Sequence, residues 1–316
     1  MRIVTAEDID RVLDYGKLIE AIKDAFCADI AVPVRRHHTV PHERGDATLL
    51  LMPAWTSSGE RFLGCKIVTV FPGNVTAGKP SLYGNYLLMS GDTGEPLAIM
   101  DGRALTAWRT AAASALAASF LAREDAHHLV MVGAGSLAPH LVRAHAAVRP
   151  IKRVTLWNRT RGRAVATAFG LSATGIATEL ADDLEDAVAQ ADIVSCATLS
   201  RTPLIRGEWL RKGTHIDLVG GFTPKMREAD DDVVKRARIY VDTRAGAVKE
   251  AGDIVQPIKR RIIKAADIRG DLFELCRGKA KGRTSAGQIT LFKSVGSAIE
   301  DLAAAMLVWR GLRSHP

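Results

Sequence analysis

Residues 133–138 read Gly-Ala-Gly-Ser-Leu-Ala, a G-x-G-x-x-A turn between a short apolar run, His128 to Val132, and a helical pattern, Leu137 to Val148. Few folds put a glycine turn in that setting. The first glycine permits a tight turn, the second lets backbone approach a pyrophosphate, and Ala138 keeps the helix close to the strand. The helix N-terminus then offers its free N–H groups to the anion. Gly133, Gly135, Ser136 and Leu137 are therefore expected to bind a dinucleotide.

A site that selects NAD usually places Asp or Glu about 20 residues beyond the turn, on the ribose 2′-hydroxyl. This chain has Trp157-Asn158-Arg159-Thr160-Arg161 there, with no acid. A carboxylate would repel a 2′-phosphate, whereas Arg159 pairs with one and Asn158 and Thr160 offer hydrogen bonds. The expected cofactor is NADP(H), with NAD(H) as the alternative. Thr198, in Ala197-Thr198-Leu199-Ser200 at the end of a further predicted strand, either lines the nicotinamide side or caps a helix.

Predicted strands at Val154 to Trp157, Ile193 to Cys196, His215 to Val219 and Ile239 to Val241 alternate with helical stretches, the rhythm of a parallel sheet. The chain before it reads differently. Thr5-Ala6-Glu7-Asp8 resembles a capping box, and an amphipathic helix is expected from about Lys17 to Ala28. Pro33 to Asp101 breaks into short apolar or alternating runs, which predict a mostly antiparallel sheet. An Ala-rich helix follows over Ala104 to Ala122. From about Gln288 the chain is expected to leave the parallel sheet, with a strand over Ile289 to Phe292 and a closing helix over Ser297 to Arg310. The predicted fold class is α/β: a Rossmann-like doubly wound parallel sheet plus an α+β domain.

With 316 residues, 47% of them hydrophobic, the chain is long enough for two sizeable cores. Its 43 Lys and Arg against 35 Asp and Glu leave a formal charge of +8. The densest basic stretches, Lys259-Arg260-Arg261 and Arg277 to Arg283, hold no aromatics on which bases could stack. They read as solvated surface, and nucleic acid is not an expected partner. Cys27, Cys65, Cys196 and Cys276 have no zinc spacing, and His37-His38 and His127-His128 bring no visible ligand partner, so no metal is expected. No apolar run reaches the about 18 residues that suggest a membrane span, and the N-terminus lacks the apolar stretch of a signal peptide. A cytoplasmic protein with reduced thiols is expected.

Two cations stand in apolar surroundings. Lys66 interrupts Leu63-Gly64-Cys65-Lys66-Ile67-Val68-Thr69-Val70, and Arg109 lies within the Ala-rich helix. A charge set against a core must be paired. No acid follows Arg109 at helical spacing, so its partner comes from elsewhere in the chain or from an anionic ligand. Arg35 and Arg36 form a further candidate anion contact.

Leu51-Met52-Pro53-Ala54, Lys66 through Pro72-Gly73-Asn74, Leu105-Thr106-Ala107-Trp108-Arg109-Thr110-Ala111-Ala112, the glycine turn, Ala197-Thr198-Leu199-Ser200, and Lys293-Ser294-Val295-Gly296 through Asp301 occur in that order. Together they resemble the ornithine cyclodeaminase and mu-crystallin family over essentially the whole chain. The resemblance implies a substrate-binding and dimerisation domain, residues 1–122 and 293–316, and a Rossmann-like NADP-binding domain, residues 123–292. It also implies a homodimer. Lys66 and Arg109 are implied as catalytic residues, and with an arginine aligned to Arg35 they would hold a substrate α-carboxylate.

Cyclodeaminases of this family carry a catalytic aspartate after paired glycines. Here the segment is Gly220-Gly221-Phe222-Thr223-Pro224-Lys225-Met226-Arg227-Glu228, and Phe222 accepts no proton. This version resembles the branch that reduces cyclic ketimines, chiefly Δ1-pyrroline-2-carboxylate to L-proline and also the piperideine homologue to pipecolate, with Phe222 among the substrate-binding residues. The expected function is NADPH-dependent reduction of a small anionic imine derived from an amino acid, with Lys66 or a bound water as proton source. The alternatives are ornithine cyclodeaminase or alanine dehydrogenase-like chemistry, or NADPH-dependent ligand binding without catalysis, of the mu-crystallin type.

Overall fold

In the computed structural model, which describes residues 1–314, the chain begins with β1 (Arg2–Val4), α1 (Ala6–Val12), α2 (Tyr15–Cys27), β2 (Ile30–Ala31), β3 (Arg36–Val40), β4 (Ala47–Thr56), β5 (Phe62–Val70), β6 (Leu82–Ser90) and β7 (Pro96–Asp101). It continues through α3 (Gly102–Leu121), β8 (His128–Val132), α4 (Ala138–Val148), β9 (Arg153–Trp157), α5 (Arg161–Leu171), β10 (Ala177–Leu180), α6 (Leu184–Gln190), β11 (Ile193–Cys196) and β12 (His215–Leu218). The last elements are α7 (Asp231–Arg236), β13 (Arg238–Val241), α8 (Arg244–Glu250), α9 (Gly252–Lys259), β14 (Ile268–Asp271), α10 (Leu272–Cys276), β15 (Thr290–Lys293) and α11 (Ala298–Ser314). His315 and Pro316, the end of the expected 293–316 segment, lie outside the described residues.

The first compact unit comprises Met1–Arg109 and the segment from Ser297 onward. Among the described residues its seven-stranded sheet runs β1-β7-β6-β5-β4-β2, with β3 also on β4. Pairing is antiparallel from β2 through β7, and β1 lies parallel to β7. Side chains alternate between the faces of a strand. On β5, Phe62, Gly64, Lys66 and Val68 therefore point to the buried face, which α11 packs on. Register puts Met52, Lys66, Tyr86 and Met100 in one row across β4, β5, β6 and β7, all of them buried. Helix α1 has the reciprocal Thr5–Asp8 box. Helix α2 begins at Tyr15 rather than near Lys17, because the Asp14 side chain accepts from the Lys17 N–H and caps it there.

The second unit, Thr110–Gly296, is built on an eight-stranded sheet among the described residues, ordered β10-β9-β8-β11-β12-β15-β13-β14. All its pairs are parallel. The strand order reverses at β8, so this is a doubly wound α/β sheet. One expectation is corrected. The chain does not leave the sheet near Gln288, because β15 inserts between β12 and β13 with all four residues buried.

The units meet at residues 109/110 and 296/297, not at 122/123 and 292/293. Hydrogen bonding accounts for both displacements. On the later part of α3, Ser114 Oγ donates to Asp217 Oδ1 at 2.9 Å, and Arg149 Nη2 donates to the carbonyls of Ala118, Ser119 and Ala122. After β15, Asp242 Oδ2 accepts from the N–H groups of Val295 and Gly296, both at 2.7 Å.

Candidate functional site

Two constellations carry chemistry, one in each unit. In the first, Lys66 and Arg109 have side chains only 4% and 6% exposed. The acid partner that Arg109 needs does lie elsewhere in the chain, in the first turn of α11. Glu300 Oε2 is 2.6 Å from Arg109 Nη1, and Asp301 Oδ1 is 3.0 Å from Arg109 Nε. Lys66 Nζ stands 2.8 Å from Asp301 Oδ2 and donates to Thr106 Oγ1 at 3.4 Å. Sequence reading missed Glu300 and Asp301 as partners. The signal was there, since two adjacent acids open a helix that is otherwise apolar on that side.

Burial lowers the Lys66 pKa from 10.5 to about 8; the nearby Arg109 adds to the fall and Asp301 opposes it. Burial alone would raise Asp301, but Arg109, Lys66 and Arg35 together hold its carboxyl below the ordinary value. Arg35 is half-buried and within electrostatic reach of Asp301, whereas Arg36 is exposed at the start of β3. Lys66, Arg109 and Arg35 thus lie close to the carboxylates of Glu300 and Asp301.

In the second unit, a recess of about 370 Å³ opens at the carboxyl ends of β8, β9 and β11, lined by Gly133, Gly135, Arg159, Thr160, Arg163 and Thr198 among others. Gly133 has φ +104°, and a Cβ there would come within 2.7 Å of the Ala197 carbonyl. Beyond Gly135 the space is open, which leaves room for a ligand against the backbone. Leu137 caps α4 without a side-chain hydrogen bond, and the first turn is closed from within: the Ala138 N–H donates to the Gly135 carbonyl at 3.0 Å, and Pro139 brings no N–H. This cradle fits a pyrophosphate. Ser136 is exposed, and the side chains of Ser136 and Leu137 are not part of the lining.

The carboxamide of Asn158 is committed within the protein. Its Oδ1 accepts from Ala134 N at 3.2 Å and its Nδ2 donates to Thr160 O at 2.9 Å. It ties the end of β9 to the glycine turn, a different use from the free donor expected. Arg159 and Arg163 remain as cations on the lining, and in an adjoining recess the Asp182 carboxylate is paired with Arg161. Thr198 lines the recess but caps no helix: its hydroxyl donates to Glu228 Oε1 at 2.8 Å. Phe222 is 45% exposed on the loop beyond the paired glycines.

Glu228, Asp253 and Lys293 form a buried cluster to which sequence reading assigned no role. Lys293 Nζ is 3.5 Å from Asp253 Oδ2 and 3.9 Å from Glu228 Oε2. Burial pushes the Glu228 carboxyl up to about 7, with Lys293 pulling it back and Asp253 adding to the rise. Among the described residues no group of His, Cys, Asp or Glu side chains could hold a metal ion. No described helix is long and apolar enough to cross a membrane.

The model of the ornithine cyclodeaminase/mu-crystallin family matches residues 2–315. The chain belongs to that family. Among family relatives, Protein SAR DEFICIENT 4 of Arabidopsis thaliana is 42% identical, covering 96% of this chain and 95% of the relative. A Delta(1)-pyrroline-2-carboxylate reductase of Paracoccus denitrificans is 41% identical, covering 94% and 96% respectively. The solved Delta(1)-pyrroline-2-carboxylate reductase of Thermococcus litoralis, in complex with NADH and L-proline, superposes with a TM-score of 0.93 at 33% identity, covering 100% of this chain and 98% of its own.

Proposed function

We propose that this chain, an oxidoreductase acting on a C=N bond, reduces Δ1-pyrroline-2-carboxylate to L-proline with NADPH, and the piperideine homologue to pipecolate. The observation that carries this reading is the similarity, along nearly the whole chain, to reductases named for that imine. Lys66, Arg109 and Arg35 take the substrate carboxylate, to which such cations give charge-assisted hydrogen bonds. Phe222, standing where the cyclodeaminases carry an aspartate, offers an apolar side chain and no base. That favours reduction over ornithine cyclisation.

Gly135, Ser136 and Leu137 bind the cofactor pyrophosphate through backbone N–H groups, Gly133, whose own N–H donates to the Trp157 carbonyl at 2.8 Å, shapes the turn against the cofactor, and Thr198 borders the nicotinamide. The bound nicotinamide supplies the hydride that adds to C2 of the imine. The ring nitrogen takes its proton from Lys66, whose lowered pKa suits a general acid near neutral pH. Asp301 keeps the Lys66 ammonium oriented. The Thermococcus litoralis relative holds NADH. The preference for NADPH here rests on Arg159, with Thr160 and Arg163, for the 2′-phosphate.

The active form in this reading is a homodimer. Leu49, Leu51, Trp55, Leu63, Ile67 and Leu87 share the outward face of the seven-stranded sheet, opposite α11, and all are at least partly exposed. A continuous apolar face of this kind calls for a partner, and a second copy of the same face supplies one.

The deciding experiment follows NADPH consumption with Δ1-pyrroline-2-carboxylate, and in parallel ammonia release from ornithine. Imine-dependent oxidation of NADPH with proline as product is expected. Ammonia release without loss of NADPH would overturn the reading in favour of a cyclodeaminase, and tight NADPH binding without turnover would favour a binding protein.

A further inference from the structure

Glu228 has no exposed surface, yet both its carboxylate oxygens are fully engaged. Oε1 accepts from the Thr198 N–H at 2.7 Å and from the Thr198 hydroxyl at 2.8 Å. Oε2 accepts from the N–H groups of Gly220 at 2.9 Å and Gly221 at 3.2 Å. One carboxylate thus clamps the loop after β11 to the loop after β12. Its own backbone is held in turn, because Asp253 Oδ1 accepts from the N–H of Glu228 at 2.8 Å and of Ala229 at 3.0 Å. Lys293 supplies the counter-charge and donates to the Leu218 carbonyl at 3.1 Å.

The packing admits little slack. A Cβ on Gly220 would collide with the backbone of Thr198, and a Cβ on Gly133 would lie 3.1 Å from Thr198 Cγ2. Thr198 is therefore held between the glycine turn and the paired glycines, with its amide and its hydroxyl both directed by Glu228. Two carboxylates and one ammonium buried together are weak evidence for added stability. Their distinguishing property is geometry: four donors from two separate loops converge on one group.

We propose that Glu228, braced by Lys293 and Asp253, is a positioning residue for the dinucleotide site, setting the Thr198 loop at the distance from the glycine turn that the cofactor requires. It acts through Thr198 and does not itself touch the cofactor. The inference rests on the reading that this recess takes NADPH.

Glu228→Gln tests it with nearly unchanged volume. A carboxamide has one oxygen, so one of the two donor pairs must face an NH₂ group. Loss of charge-assisted hydrogen bonds of this kind is expected to weaken NADPH binding, read by titration of its fluorescence, roughly 10- to 100-fold. The KM for the imine should change less than about 3-fold, since charge-assisted bonds to substrate are untouched. Amide hydrogen exchange at Thr198, Gly220 and Gly221 should accelerate. Glu228→Asp keeps the charge and both acceptors but is shorter by one methylene; it should bind NADPH more tightly than the Gln variant and less tightly than wild type. If the Gln variant does not fold, the Asp variant carries the test through the same split between NADPH and imine. Equal NADPH affinity in wild type and variants, or parallel loss of NADPH and imine affinity together with thermal stability, would overturn the proposal. Wild-type protein that binds no dinucleotide would instead overturn the reading of the recess.

Discussion

Lys66 illustrates how far one residue's chemistry can be read before its neighbours are known. An ammonium in an apolar strand was legible as a charge needing a partner; that it titrates near 8 follows from burial and from Arg109, with Asp301 opposing. A general acid must carry its proton. Activity on the imine is therefore expected to hold below pH about 8 and to fall about tenfold per unit above it, measured as kcat/KM against pH. Lys66→Arg separates its two roles. The variant keeps a cation for the carboxylate but is far too weak an acid to release a proton near neutral pH, so it should bind substrate and lose turnover by about 10²-fold or more. The role proposed for Arg159 depends on its place after a strand and not on a distant partner. Arg159→Asp should shift the ratio of kcat/KM for NADPH over NADH toward NADH. An unchanged ratio would remove the case for NADPH.

Among the elements, those with a complete local pattern were legible. The glycine turn between strand and helix, the Thr5–Asp8 box and the alternating strands of the first sheet all carry their instructions within a few residues. Strand β15 does not. Its four residues say nothing about which strands they separate, and its place between β12 and β13 is set by hydrogen bonds to both. Helix α11 likewise reads as an apolar stripe, while its first turn supplies the acids for two buried cations. Asp301→Ala would leave Lys66 and Arg109 short of charge. A loss of about 3–5 kcal/mol in denaturant unfolding is expected, together with a shift of the Lys66 limb of the pH profile to lower pH. Gly252 opens α9 directly against the carbonyls of Met226 and Pro224, where a Cβ would collide. Gly252→Ala should cost about 1–3 kcal/mol by the same measurement.

For the whole molecule, the outward apolar face of the first sheet predicts an assembly. Ile67→Glu places a charge at the middle of that face, and sedimentation is expected to report a dimer for wild type and a monomer for the variant. An unaltered sedimentation coefficient would move the interface elsewhere. The sequence by itself determined the two kinds of sheet, the turn that suits a dinucleotide and the need to pair Lys66 and Arg109, because each is written in short-range pattern and elementary charge. Only the tertiary structure decided what pairs with what. Lys66 and Asp301 are 235 residues apart in the chain, and Arg109 and Glu300 are 191 apart. Separations of that size leave no periodicity to read. Packing brings the groups together, and the cost of a bare buried charge then dictates that they meet as ion pairs.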